Sequence, residues 1–123
     1  MACLSGNGFF VVTIHLISGP AVTILQSVIT FDEAKRQANI RSHGLDFIGC
    51  EAIWDNFTIT REDRRHAYGE KRFVTFGLLG GEAVVLVTTD RGDTPHIISL
   101  RKAEKYEARY YFETAKDYFS QSR

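Results

Sequence analysis

The sequence predicts a single α+β domain with two N-terminal helices, an antiparallel sheet of about four strands and a C-terminal helix. Three observations support this fold class. Apolar residues recur at helical spacing after Asp32, β-type runs follow between Thr58 and Ser99, and a helical pattern then continues to about Phe119. A chain of 123 residues is long enough to bury one hydrophobic core but not two.

A short strand or lead-in is predicted at Ile29-Thr30-Phe31, and two helices follow it. Asp32 can cap the first turn of a helix that runs to about Ser42, and Gly44 suits the left-handed position that ends a helix. A second short helix is indicated by residues that share one helical face, namely Phe47, Cys50, Ile53 and Trp54. We expect Trp54 to belong to the core.

Four strands and a last helix complete the predicted domain. The strands are expected at Thr58–Thr60, Arg72–Leu79, Glu82–Thr89 and about His96–Ser99. Gly80-Gly81 is typical of a two-residue hairpin turn, and Pro95 should lie at the beginning or edge of its strand. Ser99 is expected to cap a helix from about Leu100 to Phe119.

Charge and cysteine content restrict the function classes. The 15 basic and 15 acidic side chains cancel, which argues against a non-specific polyanion binder and confines any nucleic-acid site to a local patch. Cys3 and Cys50 are too few for a disulfide framework and have no metal-ligand spacing. We therefore expect a cytoplasmic protein without a metal or cofactor.

The N-terminal segment differs from the rest of the chain. Residues 1–27 carry no charge and are largely apolar, but Gly19-Pro20 interrupts them and no basic region precedes them. We predict an extension outside a domain that spans residues 28–120. A membrane span needs about 20 strongly apolar residues, and this segment is marginal in quality, so we expect no membrane association.

Two groups of residues carry possible chemistry. On the first helix, Lys35, Asn39 and His43 follow one another at intervals of four, which places them along one stripe. They can present an amine, an amide and an imidazole to a phosphodiester, or His43 can simply cap the helix end. Glu70 and Arg72 are two residues apart, which suits a base beside a phosphate clamp and equally a cross-strand ion pair.

Further cations are candidates for phosphate binding. Arg64 belongs to a basic run interleaved with carboxylates, and Arg91 lies in a predicted turn. Arg101 and Lys102 are expected at a helix start, where free N–H groups favour anions. Two further side chains on the last helix stack on bases or, as their helical spacing favours, pack on the sheet: Tyr106 and Tyr110.

Several segments resemble the BrnT family of toxins. The likeness begins with Ile29 to Lys35, Asn39 and His43 to Phe47 and continues with Glu51-Ala52 and Trp54-Asp55. It resumes with Glu70 to Phe73, Gly77, Asp90 to Gly92, Ile97 to Ser99 and Arg101 to Ala103. Ser42, His96 and Leu100 depart from the family pattern, since relatives usually carry lysine, arginine and alanine there.

The resemblance implies a fold similar to the RelE-like ribonuclease toxins and a ribbon-helix-helix antitoxin partner, BrnA, whose complex with the toxin binds operator DNA. The leading hypothesis is a metal-independent endoribonuclease that cleaves RNA and inhibits translation. Its expected catalytic residues are His43, Glu70, Arg72 and Arg101. Its expected substrate-binding residues are Lys35, Asn39, Arg64, Arg91 and Lys102. The alternative is a catalytically degenerate toxin that only binds its antitoxin in operator repression.

Overall fold

A computed structural model of the chain describes residues 2–4, 10–15, 21–24, 29–65, 69–92 and 94–121. Three short strands of the N-terminal segment form an antiparallel sheet in the order β1-β2-β3: β1 (Ala2–Leu4), β2 (Phe10–His15) and β3 (Ala21–Ile24). The elements that follow are β4 (Thr30–Phe31), α1 (Glu33–His43), a 3₁₀ helix (Cys50–Asp55), β5 (Ile59–Asp63), β6 (Arg72–Leu79), β7 (Glu82–Arg91), β8 (Thr94–Lys102) and α2 (Lys105–Gln121). No helix among these residues is long and apolar enough to cross a membrane.

The second sheet has five strands in the order β4-β8-β7-β6-β5. The α+β class and the C-terminal helix are confirmed, but a purely antiparallel sheet of four strands is wrong. Strand β4 adds a fifth strand at the edge and runs parallel to β8. The short strand or lead-in predicted at Ile29-Thr30-Phe31 corresponds to β4, and sequence patterning does not reveal its parallel pairing with β8.

Local signals account for the turns around α1 and the central hairpin. Asp32 accepts a hydrogen bond from the Lys35 amide at 3.2 Å, and Gly44 follows the last turn with a φ of 71°. The segment predicted as a second helix contains a 3₁₀ helix entered through Gly49 at a φ of 91°. Gly80 and Gly81 both have positive φ and join β6 to β7, which confirms the predicted two-residue hairpin turn.

The C-terminal helix begins later than predicted. Strand β8 continues through Lys102, and α2 starts only at Lys105. Arg101 and Lys102 are therefore strand residues paired with β7, and the expectation that they lie at a helix start is wrong. Pairing with β7 buries Leu100 completely, and this tertiary gain outweighs the local capping signal of Ser99.

The two sides of the five-stranded sheet are unequal. The side that packs against α1 and the 3₁₀ helix, here the α1 side, holds the larger core, including Phe31, Phe47, Ile53, Leu86 and Leu100. On the opposite side, the α2 side, a smaller cluster joins Phe76, Val85 and Tyr111. Trp54 is 40% exposed, so the expectation that it belongs to the core is wrong.

Candidate active site

A row of side chains crosses the sheet on the α2 side. In register, Asp63 of β5 lies opposite Arg72 of β6, Arg72 opposite Thr89 of β7, and Thr89 opposite His96 of β8. The row ends at Thr30 of β4, which is paired with His96. Directly paired residues in neighbouring strands project to the same side, so the register brings polar groups from five strands together.

A β-bulge brings His96 into this row. Ser99 and Ile97 of β8 oppose the consecutive residues Val87 and Thr88 of β7, so Ile98 is the extra residue. The bulge shifts the alternation of β8 by one residue. As a result Ile97 is buried in the α1-side core, whereas His96 pairs with Thr89 on the other side.

The row borders a cavity of about 350 Å³, here called the cleft. Its charged and imidazole-bearing lining residues are Asp32, Lys35, Glu70, Arg72, Arg91 and His96. They come from the start of α1, the segment before β6, and strands β6, β7 and β8. Four of the predicted site residues therefore line one cavity: Lys35, Glu70, Arg72 and Arg91. His96, which is not among the predicted site residues, lines the same cavity.

Hydrogen bonds hold the cleft in shape. The Thr30 hydroxyl lies 2.8 Å from Nδ1 of His96, which fixes the imidazole orientation. The buried Thr89 hydroxyl donates to the Lys71 carbonyl at 2.7 Å and so holds the chain between Glu70 and Arg72. Burial, and then the positive charge of Arg91, lower the pKa of His96, so its imidazole is neutral at neutral pH.

A smaller cavity of about 190 Å³ adjoins the cleft, since both are lined by Lys35 and Ile98. Asn39, Ser42 and His43 complete its polar lining. The predicted stripe of Lys35, Asn39 and His43 therefore lines a single surface. His43 is exposed at the end of α1.

Asn39 is buried and bonded to the edge of β8 beyond the end of β4. Its amide nitrogen donates to the carbonyl of Leu100 at 2.8 Å and to that of Leu45 at 3.0 Å. Its amide oxygen accepts from the Leu100 amide at 3.1 Å. The side chain thus replaces the peptide group of a missing neighbouring strand.

A larger cavity of about 530 Å³, here called the α2 groove, lies between strands β5 and β6 and the first turns of α2. Two predicted site residues, Arg64 and Arg101, line it together with Arg61, Tyr106 and Tyr110. The guanidinium of Arg61 is stacked over two rings, 5.1 Å from the centroid of Phe76 and 5.9 Å from that of Tyr110. Tyr106 is 69% exposed, so the expectation that it packs on the sheet is wrong, whereas Tyr110, which is 42% exposed, packs edge-on against Phe76 of β6 with 5.7 Å between the ring centroids.

Ion pairs organise the base of the α2 groove. Arg101 donates to both carboxylate oxygens of the buried Glu107, at 2.7 and 2.9 Å. Glu107 also accepts from the Glu104 amide at 2.8 Å, and these bonds lower the pKa of its carboxyl. The pair ties the start of α2 to the end of β8, which fixes how the tyrosines of α2 face the sheet.

The predicted site residues are thus divided among several places. Lys35, Glu70, Arg72 and Arg91 meet in the cleft, Asn39 and His43 line the adjoining cavity, and Arg64 and Arg101 line the α2 groove. Lys102 lies apart and pairs with Glu82 at 3.3 Å.

Sequence reasoning missed the placement of two residues. The bulge that turns His96 into the cleft has no signature in the sequence. Arg61 had a weak signal, because it directly follows the predicted strand Thr58–Thr60, and if that strand continues, Arg61 projects to the same side as the apolar Ile59 two positions earlier.

Comparison with known proteins assigns the family. A search of curated proteins found no match. Residues 31–107, more than half of the chain, match the family described as "Ribonuclease toxin, BrnT, of type II toxin-antitoxin system". The matched range contains α1, the whole five-stranded sheet except Thr30, and the first turn of α2. The chain therefore belongs to the BrnT family of ribonuclease toxins, which act in type II toxin–antitoxin systems.

Proposed function

We propose that this chain is an endoribonuclease that cleaves RNA in the cleft without a metal ion and so inhibits translation. One observation carries the proposal: a carboxylate, Glu70, lines the same cavity as three cations, Lys35, Arg72 and Arg91. A base beside several positive charges is what attack of a ribose 2′-hydroxyl on the neighbouring phosphate requires.

In the proposed reaction Glu70 accepts the proton of the 2′-hydroxyl, and the 2′-oxygen attacks phosphorus. The bond to the 5′-oxygen breaks, which leaves a 2′,3′-cyclic phosphate and a 5′-hydroxyl. Lys35, Arg72 and Arg91 stabilise the negative charge that develops on the phosphate oxygens. His43, in the adjoining cavity, supplies the proton to the leaving oxygen.

His96 has a different part in this proposal. Its lowered pKa keeps the ring uncharged at neutral pH, so it offers a hydrogen bond to the phosphate rather than a fixed positive charge. Asn39 positions α1 against β8 through its bonds to Leu100 and thereby sets the height of Lys35 over the cleft. Arg64 and Arg101 line the α2 groove and take no part in the cleavage step.

The charge of the cleft favours a reaction without a metal ion. Among the described residues that line it, two carboxylates, Asp32 and Glu70, are outnumbered by three cations, which repel a divalent cation and attract a phosphodiester. The Asp32 carboxylate is also engaged in capping α1. Substrate phosphate, not a metal ion, is therefore the ligand that this set of side chains suits.

We further propose a BrnA-like ribbon-helix-helix antitoxin as the partner, with operator DNA bound through the complex and the cytoplasm as the site of action. Membership of a type II family supports an antitoxin partner in general. The equal numbers of basic and acidic side chains support DNA contact through the partner, because a chain without net positive charge gains little from counterion release.

The test is cleavage of total RNA by the purified chain in the presence of EDTA. Glu70→Gln should lower the cleavage rate by about 10²- to 10⁴-fold because it removes the base, with unchanged folding. Glu113→Gln, an exposed carboxylate on α2, is the matched control and should cleave like the unchanged chain.

Two outcomes would contradict the proposal. Equal cleavage by the Glu70→Gln variant would remove Glu70 from the chemistry. Absence of cleavage by a folded, antitoxin-binding chain would instead favour the alternative, a degenerate toxin that serves only in operator repression.

A further inference from the structure

The α2 groove has the properties of a ligand site in its own right. Its volume of about 530 Å³ exceeds that of the cleft and lies in the range of small-molecule and nucleotide pockets, about 300–1,000 Å³. Its walls combine exposed arginines with two tyrosines of α2. The proposed cleavage reaction uses no group in the groove, so that reaction does not explain why these side chains are there.

Arg61 is the cation of this groove that is left for a ligand. The other three arginines that line it each bond to a carboxylate: Arg64 to Glu62, Arg65 to Asp63, and Arg101 to Glu107. Among the described residues no carboxylate forms an ion pair with Arg61, whose guanidinium instead lies over Phe76 and Tyr110. These ring contacts hold the Arg61 guanidinium in place while the side chain stays exposed, so it remains accessible to a phosphate.

Two tyrosine rings lie beside this cation. Tyr106 and Tyr110 are one helical turn apart, and Tyr106 is 69% exposed. A large ring that is mostly in water adds little to the core. It can, however, stack on a nucleobase of any identity, because every base has an aromatic face. Rings and a stacked arginine together are typical of surfaces that bind single-stranded RNA.

The groove also continues the cleft. Arg61 is paired with Val74 of β6, and Arg72, which lines the cleft, is two residues before Val74 on the same strand. Two residues of a strand span about 7 Å of backbone. An RNA strand whose phosphate is in the cleft can therefore place a neighbouring nucleotide in the groove. An acidic protein segment fits less well, because it brings no base to stack on the exposed rings of Tyr106 and Tyr110.

We propose that the α2 groove is a nucleotide-binding subsite for single-stranded RNA, in which Tyr106 stacks on a base and Arg61 binds a phosphate. The proposal rests on the proposed function for its substrate class. It assigns these residues to holding the strand beside the cleft and not to the cleavage step.

Binding of a 5′-fluorescein single-stranded RNA oligomer to the full chain, followed by anisotropy, tests this subsite. The oligomer carries 2′-O-methyl groups throughout, so it cannot be cleaved and the result does not depend on Glu70. Tyr106→Ala should weaken binding about tenfold, and Tyr106→Phe should retain it because the ring remains. Arg61→Ala should weaken binding about tenfold and make the slope of log K against log salt shallower by about 0.7.

Matched controls on α2 are Arg109→Ala and Phe112→Ala, which remove an exposed charge and an exposed ring that do not line the groove. Both should bind the oligomer like the unchanged chain. The subsite is refuted if Tyr106→Ala and Arg61→Ala bind normally, or if Arg109→Ala weakens binding equally. It is also refuted if these two variants lose affinity for a labelled oligoglutamate and keep it for RNA, which would make the groove a protein-binding site.

Discussion

The two sides of the five-stranded sheet use the same strands for different purposes. On the α1 side, Phe31, Phe47, Ile53, Leu86 and Leu100 have no exposed surface, and hydrophobic burial dominates. On the α2 side, the described residues include a cluster of three buried hydrophobic residues, surrounded by charges and partly exposed rings. Because one side supplies most of the apolar burial, the other can carry cations that contribute little to stability.

The largest expected difference is between two aromatic rings, one on each side. Phe47→Ala empties a fully buried position and should lower the free energy of unfolding by about 4 kcal/mol. Tyr106→Ala removes a ring that is 69% exposed and should lower it by less than about 0.5 kcal/mol. Urea unfolding of both variants measures the difference, and similar losses would mean that α2 contributes to the core as much as α1 does.

A smaller effect is expected where β6 meets the 3₁₀ helix. A Cβ at Gly77 would lie 2.5 Å from Cγ1 and 2.9 Å from Cδ1 of Ile53, so Gly77→Ala should cost about 2 kcal/mol through overpacking. In an Ile53→Ala background the added methyl finds space, and its further cost should fall below about 1 kcal/mol. Additive losses in urea unfolding would show that this contact does not limit packing on the α1 side.

The smallest expected effect is the pH dependence that His96 contributes on the α2 side. Its folded pKa is lowered, so the unfolded chain takes up a proton more readily. The contribution of His96 to stability is therefore complete above the unfolded pKa of 6.5 and is lost as the pH falls toward the lowered folded value. His96→Gln should make stability, measured by urea unfolding, less dependent on pH between about 7.5 and 5.5; an unchanged pH dependence would show that His96 is not buried as described.

Sequence reasoning located elements that depend on local chemistry. Asp32 and Gly44 mark the ends of α1, and Gly80-Gly81 marks the β6–β7 turn, because capping and positive φ act within a few residues. The missed features depend on distant partners. The parallel pairing of β4 with β8 joins residues that are far apart in the sequence, and β8 extends to Lys102 because β7 pairs with it to that point.

The same distinction applies to the site. Four site residues that are predicted from residue type line one cleft, because α1 and the strands converge there. They are Lys35, Glu70, Arg72 and Arg91. Arg101 is predicted as a site residue because a helix is expected to start there. Strand β8 continues through that position, and Arg101 lies in the α2 groove. No local rule indicates the placement of His96, because a single extra residue in β8 decides which way it faces.

That extra residue separates two kinds of evolutionary change. A substitution at His96 alters the chemistry of the cleft and leaves the buried Ile97 in place. Deletion of Ile98 would instead remove the bulge and make the alternation of β8 regular, with Ile97 still opposite Thr88 and His96 still opposite Thr89. The bulge therefore lets β8 carry one additional residue while Ile97 of the core and His96 of the cleft keep their opposite sides of the sheet.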